Sequence, residues 1–194
     1  MSQKRMIRTI FIISFVFLLV IGNDSLIIPL TGKNASVNID LESSSGLTLY
    51  LDEEVGLSIA DQPNNNIGYV SNIPGVITRF RQAEKQGSIG LIAHNYLAGE
   101  QFFNLGVGDF LTLASNNEKT NQRYEIIEIK EFQALDPRSI HSKFRNLDTE
   151  EIISAHNLSQ SIYGLEDHLI LQTCIENDGD TEWGRLFVIA KPIA

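Results

Sequence analysis

Cysteine occurs once in the 194 residues, at position 174, tryptophan once, and proline five times. A single cysteine excludes an internal disulfide and a Cys-rich zinc site. The thiol is therefore a buried inert group, half of an intermolecular bridge, or a nucleophile. Positive charge is also scarce: fifteen Lys and Arg stand against twenty-four Asp and Glu, a formal net charge of −9. Setting aside Lys4, Arg5 and Arg8 at the N-terminus deepens that balance to −12, which argues against a phosphate-binding nucleic-acid surface. Internal repeats and low-complexity tracts are missing, and the 43% apolar, 20% charged composition excludes wholesale disorder. What remains is room for one ordinary domain plus an appendage.

The one long uncharged run is terminal. Residues 9–22 (TIFIISFVFLLVIG) follow a basic MSQKRMIR. As a helix this stretch would cover roughly 21 Å, short of the roughly 30 Å hydrocarbon core and of signal-peptide length. Leu26, Ile27, Ile28 and Leu30 resume the apolar character after a polar break, so an uncleaved anchor fits as well. Residues 1–30 are therefore expected to be a signal peptide or membrane anchor, with everything beyond it outside the cytoplasm. The protein is then held at the cell membrane by a single N-terminal pass, or secreted if that segment is cleaved. Residues 31–46 are Ser- and Asn-rich and read as a polar linker, and 47–194 as the functional domain.

Within that domain the apolar segments are short and favour strands: Leu47, Leu49 and Leu51 in alternation, then 88–93, 109–114, 124–129, 168–173 and 185–190. Clusters such as 61–66 and 177–180 punctuate them. Helices are expected at 76–86, as one turn at 100–105, and from a cap at Asp148 or Thr149 through Ile152, Ile153 and Ala155. Many short strands with few crossover helices predict a mainly β fold, a barrel or sandwich.

Cys174 closes the expected strand 168–173 and faces the polar loop Asn177, Asp178, Gly179, Asp180. Arg185, eleven residues on, opens the next strand. Paired as a hairpin across residues 175–184, the two would lie near one end of the sheet. A neighbouring cation lowers a thiol pKa from about 8.5, and a fixed guanidinium can stabilise a tetrahedral oxyanion. On that ground Cys174 is expected to alkylate faster than a model thiol near neutral pH. A leaving amine needs a proton donor, commonly His, and His94 stands at the exit of another strand. His141, His156 and His168 lack such surroundings. His168 is nearest in sequence, but six residues of extended strand put it about 20 Å away. Asn34 and Asn157 sit in N-x-S patterns, which arise often by chance.

The order His94, Cys174, Arg185 resembles the sortase family, whose signature is T-L-x-T-C followed by an R-x-x-V strand. The chain carries Leu171, Thr173, Cys174, Arg185 and Val188, with Ile170 where the signature has Thr. Ala93-His94-Asn95, then Phe103, Leu105 and Gly108-Asp109, are similar to the family's histidine segment. The specific stretches are 94–113 and 169–190. The resemblance implies a closed sortase-like β-barrel with a few short helices in its connections. It further implies a membrane-anchored extracytoplasmic cysteine transpeptidase that cleaves an LPxTG-like C-terminal sorting signal through a thioacyl-enzyme. In it Cys174 attacks, His94 moves the proton, Arg185 stabilises the oxyanion, and Leu171 and Thr173 contact substrate. The implied partners are secreted proteins bearing the signal and an amine of a cell-wall precursor or pilin-like protein. No cofactor, metal or nucleic acid is implied. A papain-like peptidase would place Cys before His, and a cysteine L,D-transpeptidase would want a residue like Arg where Glu176 stands. The remaining alternative is a non-catalytic, surface-anchored β-barrel binding module.

Overall fold

The computed structural model describes residues 44–51, 55–115 and 121–193. The expected anchor and the linker up to residue 43 lie outside the described residues. Ten strands alternate with three short helices: β1 (Ser44–Tyr50), β2 (Gly56–Asp61), β3 (Val76–Phe80), α1 (Arg81–Glu84), β4 (Ile89–Ile92), a 3₁₀ helix (Ala98–Asn104), β5 (Phe110–Ser115), β6 (Asn121–Ala134), β7 (Lys143–Asn146), β8 (Ile152–Ser154), α2 (Ala155–Tyr163), β9 (Leu169–Asn177) and β10 (Asp180–Ile193). Among the described residues no helix is long and apolar enough to cross a membrane.

The strands run in the spatial order β10-β9-β4-β3-β2-β1-β5-β6, and β6 pairs back onto β10 to close an eight-stranded barrel. β7 and β8 extend the sheet from the far half of β6, where Phe132, Gln133 and Ala134 pair with β7. The β2–β3 and β4–β9 pairs are parallel. The fold is mainly β, as the spacing of short apolar segments predicts, and closed, as the family resemblance implies.

Two apolar clusters divide between the two sides of the barrel wall. Leu49, Ile77, Leu91, Leu111, Leu171 and Val188 fill the interior. Ile170, Phe187 and Ile189 face outward and are covered by Ala83 of α1 and by Leu158, Ile162 and Tyr163 of α2. β9 and β10 therefore bury both faces over much of their length, which is why their sequences read as unbroken apolar runs.

Three local expectations are corrected. Residues 76–86 are not one helix: Val76–Phe80 is a strand and only Arg81–Glu84 is helical. β-branched Val76, Ile77 and Thr78 favour the pleated wall, and Thr78, fully buried, accepts a hydrogen bond from Ser71 N at 2.8 Å. Ile152 and Ile153 lie in β8, with Ile153 opposite Phe144. The helix begins after them, capped by Ser154, whose hydroxyl accepts from Asn157 N at 3.2 Å. The long loop expected at 175–184 is a two-residue turn. Asp178 and Gly179 hold φ of 51° and 82°, the pairing of positive values that an Asp-Gly hairpin turn requires.

Candidate active site

Side chains along a strand alternate between its faces. In β9, Leu169, Leu171 and Thr173 point into the barrel, while Ile170, Gln172 and Cys174 point out. Opposite them on β10, Leu186 and Val188 point in and Phe187 and Ile189 point out, which places Arg185 outward. Cys174 and Arg185 are direct partners in the antiparallel ladder, a relation that sets the two Cβ atoms about 4.5–5.5 Å apart on one face. Both lie inside their strands, three and five residues from the hairpin ends, rather than at a strand's exit and entry.

His94 follows β4. That strand runs parallel to β9 with Ile92 beside Gln172, and the ladder continues one step as Ala93 N donates to Gln172 O at 3.1 Å. The paired residues end at Ile92–Gln172, and His94 and Cys174 each follow that pair by two residues at the same end. Cys174 on β9 and Arg185 on β10 thus share the outward face, and His94 lies just past the end of the neighbouring strand β4. Tyr96 stacks on the His94 ring with centroids 5.1 Å apart.

The hairpin has a bulge here. Asp180 pairs with Asn177 and Gly184 with Ile175, so Thr181, Glu182 and Trp183 oppose Glu176 alone. The bulge turns two carbonyls toward the site. Thr181 O accepts from Asn95 Nδ2 at 3.2 Å, tying the histidine loop to the hairpin. Glu182 O accepts from Arg185 Nη1 at 2.9 Å, and Gly184 O accepts from the same nitrogen at 2.8 Å. The guanidinium is held by its own hairpin.

Burial pushes the Cys174 thiol pKa up; Arg185 opposes that shift and Glu182 reinforces it. The guanidinium acts in the expected direction, yet desolvation outweighs it. A raised thiol pKa runs against the faster-than-model alkylation that the sequence suggests. Behind these residues, the Tyr163 hydroxyl donates to Gln172 Oε1, and burial raises the tyrosine pKa far above its usual value despite Arg185.

Leu171 and Thr173, expected against substrate, are on the inward face and covered. Leu171 is 0% exposed in the barrel core and Thr173 is 1% exposed, its hydroxyl donating to Ala93 O at 2.9 Å. The odd positions of β9 share the inward face, so both side chains are turned away from Cys174. His141 lies in the segment before β7 and His156 on α2, and His168 precedes β9 with its ring nitrogen 2.8 Å from Glu166 O.

A cavity of about 440 Å³ opens beside His94, lined by Asn95, Tyr96, Glu100, Phe103, Ile175 and Glu176. Another, of about 520 Å³, lies between Leu51 and Phe110 and touches none of the three site residues. Among the described residues no three His, Cys, Asp or Glu side chains are grouped to hold a metal ion. The bulge and the link from Asn95 to Thr181 were not singled out by the sequence; the Asp178-Gly179 dipeptide was the available signal for the tight turn beside them.

No family model and no curated protein matches the chain. Solved structures to which its fold is similar include sortases. Sortase C1 from Streptococcus agalactiae is 18% identical at a TM-score of 0.48, over 83% of this chain and 73% of that one. A Clostridium perfringens sortase D5 transpeptidase is 20% identical at 0.44, over 76% and 78%. Listeria monocytogenes sortase A is 14% identical at 0.47, over 77% and 87%.

Proposed function

We propose that the protein is a sortase-type cysteine transpeptidase. One observation supports the reading: Cys174 and Arg185 are cross-strand partners on an outward face, and His94 follows β4, the strand that pairs with β9 on its other side. A thiol, a proton carrier and a fixed cation are the groups that acyl transfer from a peptide needs.

Cys174 Sγ attacks the carbonyl carbon of the scissile peptide bond while His94 takes the thiol proton. Because burial favours the neutral thiol, that proton moves at the moment of attack rather than beforehand. The oxyanion of the tetrahedral intermediate lies against Arg185. The carbon–nitrogen bond then breaks, and His94 delivers the same proton to the departing amine, leaving a thioester on Cys174. An incoming amine attacks the thioester, gives its proton to His94, and leaves with the acyl group as the thiol is restored.

The substrate is a secreted protein with an LPxTG-like C-terminal sorting signal, and the acceptor an amine on a cell-wall precursor or a pilin-like protein. Residues 1–30 hold the enzyme to the outer face of the membrane. The test is cleavage of a fluorogenic sorting-signal peptide with transfer to an added amine, by the full chain and by Cys174→Ala. Undiminished cleavage by the variant would sink the reading. A non-catalytic barrel module draws support from the raised thiol pKa. That alternative predicts no peptide turnover at any pH, and alkylation only after unfolding.

A further inference from the structure

We propose that Thr173 is a positioning residue that sets His94 from inside the barrel and makes no contact with substrate. The inference rests on reading His94 as the proton-transfer group. The Thr173 hydroxyl, 1% exposed, donates to Ala93 O at 2.9 Å. That oxygen belongs to the peptide unit that ends at His94 N. Ala93 N is bonded in turn to Gln172 O at 3.1 Å. Residue 93 is therefore held by β9 on both of its peptide units, at positions 172 and 173.

The peptide unit after His94 is fixed too. His94 O accepts from Leu97 N and from Gly99 N, each at 3.0 Å. Gly99 fits only because it lacks a side chain: a Cβ there would stand 2.7 Å from His94 O and collide with Thr173 Oγ1. With both flanking peptide planes fixed, φ and ψ of His94 are determined and only its side-chain torsions remain free. The ring then rests on Tyr96. A single buried hydroxyl thus lies one peptide plane away from the imidazole, and a misplacement of about 1 Å in such a group costs on the order of 10²-fold in rate.

Thr173→Val keeps the shape and removes the donor; Thr173→Ser keeps the donor. With the full chain and the sorting-signal peptide, Thr173→Val is expected to lower kcat about 10- to 100-fold at a KM within about twofold, and Thr173→Ser to restore most of the rate. In parallel, the ring resonances of the four histidines are followed by NMR, with His94→Ala identifying the site signal. The His94 resonance is expected to shift or broaden in Thr173→Val and return in Thr173→Ser, while His141, His156 and His168 stay in place. A raised KM at unchanged kcat would instead assign Thr173 to substrate and overturn the proposal. So would an unmoved His94 signal, movement of all four, or failure of Ser to rescue. Should Thr173→Val not fold, Thr173→Ala, which leaves space for water at the Ala93 carbonyl, takes its place. An inactive wild-type chain would end the transpeptidase reading, whereas the NMR comparison would still decide the positioning role.

Discussion

The two ends of the β9–β10 pair are built from the same ladder and live in different surroundings. At the closed end Leu169, Ile170, Ile189 and Ala190 are all 0% exposed, with the barrel interior on one side and the helical cover on the other. At the open end the cover stops, and Cys174 and Arg185 are each half-buried on the outward face. The difference lies in what sits above the wall, since strand pairing is continuous from Gly184 to Ala190. A reactive pair on a rigid scaffold can be made by ending a helical layer a few residues early.

The sharpest break of that contrast is Cys174→Ala, which is expected to abolish peptide cleavage and amine transfer while the thermal midpoint stays within a few degrees; activity and melting curves on one preparation check both. Arg185→Ala comes next. It is expected to lower kcat by about 10²- to 10³-fold and to move the Cys174 alkylation midpoint upward, because the guanidinium holds that pKa down. At the closed end Ile170→Ala should do the reverse, costing about 2–5 kcal/mol in denaturant titrations with kcat per folded molecule unchanged. A smaller effect is expected in pH titration. Burial raises the folded thiol pKa above its ordinary 9.0, so folding favours the protonated form. Its contribution is fully present below about pH 9 and lost as pH rises through the folded value. Iodoacetamide should accordingly react with Cys174 more slowly than with a free thiol at neutral pH, the rate climbing beyond pH 9. Glu182→Gln should shift that climb to lower pH, since the carboxylate raises the thiol pKa. Asn95→Ala is the mildest: loss of an exposed hydrogen bond to Thr181 O should change kcat by less than about tenfold.

Much of this contrast was legible in the chain. Period-two alternation and turn clusters locate most strands; their number and spacing give a mainly β barrel or sandwich, and the family resemblance chooses the closed barrel. That Cys174 and Arg185 lie near one end of the sheet was also legible from a hairpin across 175–184, but their direct pairing and the tight Asp178-Gly179 turn were not. What escaped was set by tertiary context. Ile152 and Ile153 look equally at home in a helix, and only Phe144 across the ladder decides for a strand. The direction of the Cys174 shift depends on how much of the thiol is desolvated, a quantity no local pattern contains. Leu171 and Thr173 stand on either side of Gln172, one residue from outward-facing positions, and alternation alone cannot say which set faces in when both faces are apolar. The attachment of Asn95 to Thr181 spans eighty-six positions and leaves no trace in either neighbourhood.

Closure of the wall by β6 against β10 has a consequence for behaviour in a crowd. Exposed strand edges are templates on which other chains assemble. Here each barrel strand has a hydrogen-bonded neighbour on both flanks, and among the described strands only β8, three residues long, ends the sheet. Its run is cut at once by the Ser154 cap of α2. Copies packed side by side at high density would meet, in the described barrel strands, a wall whose every strand already has neighbours.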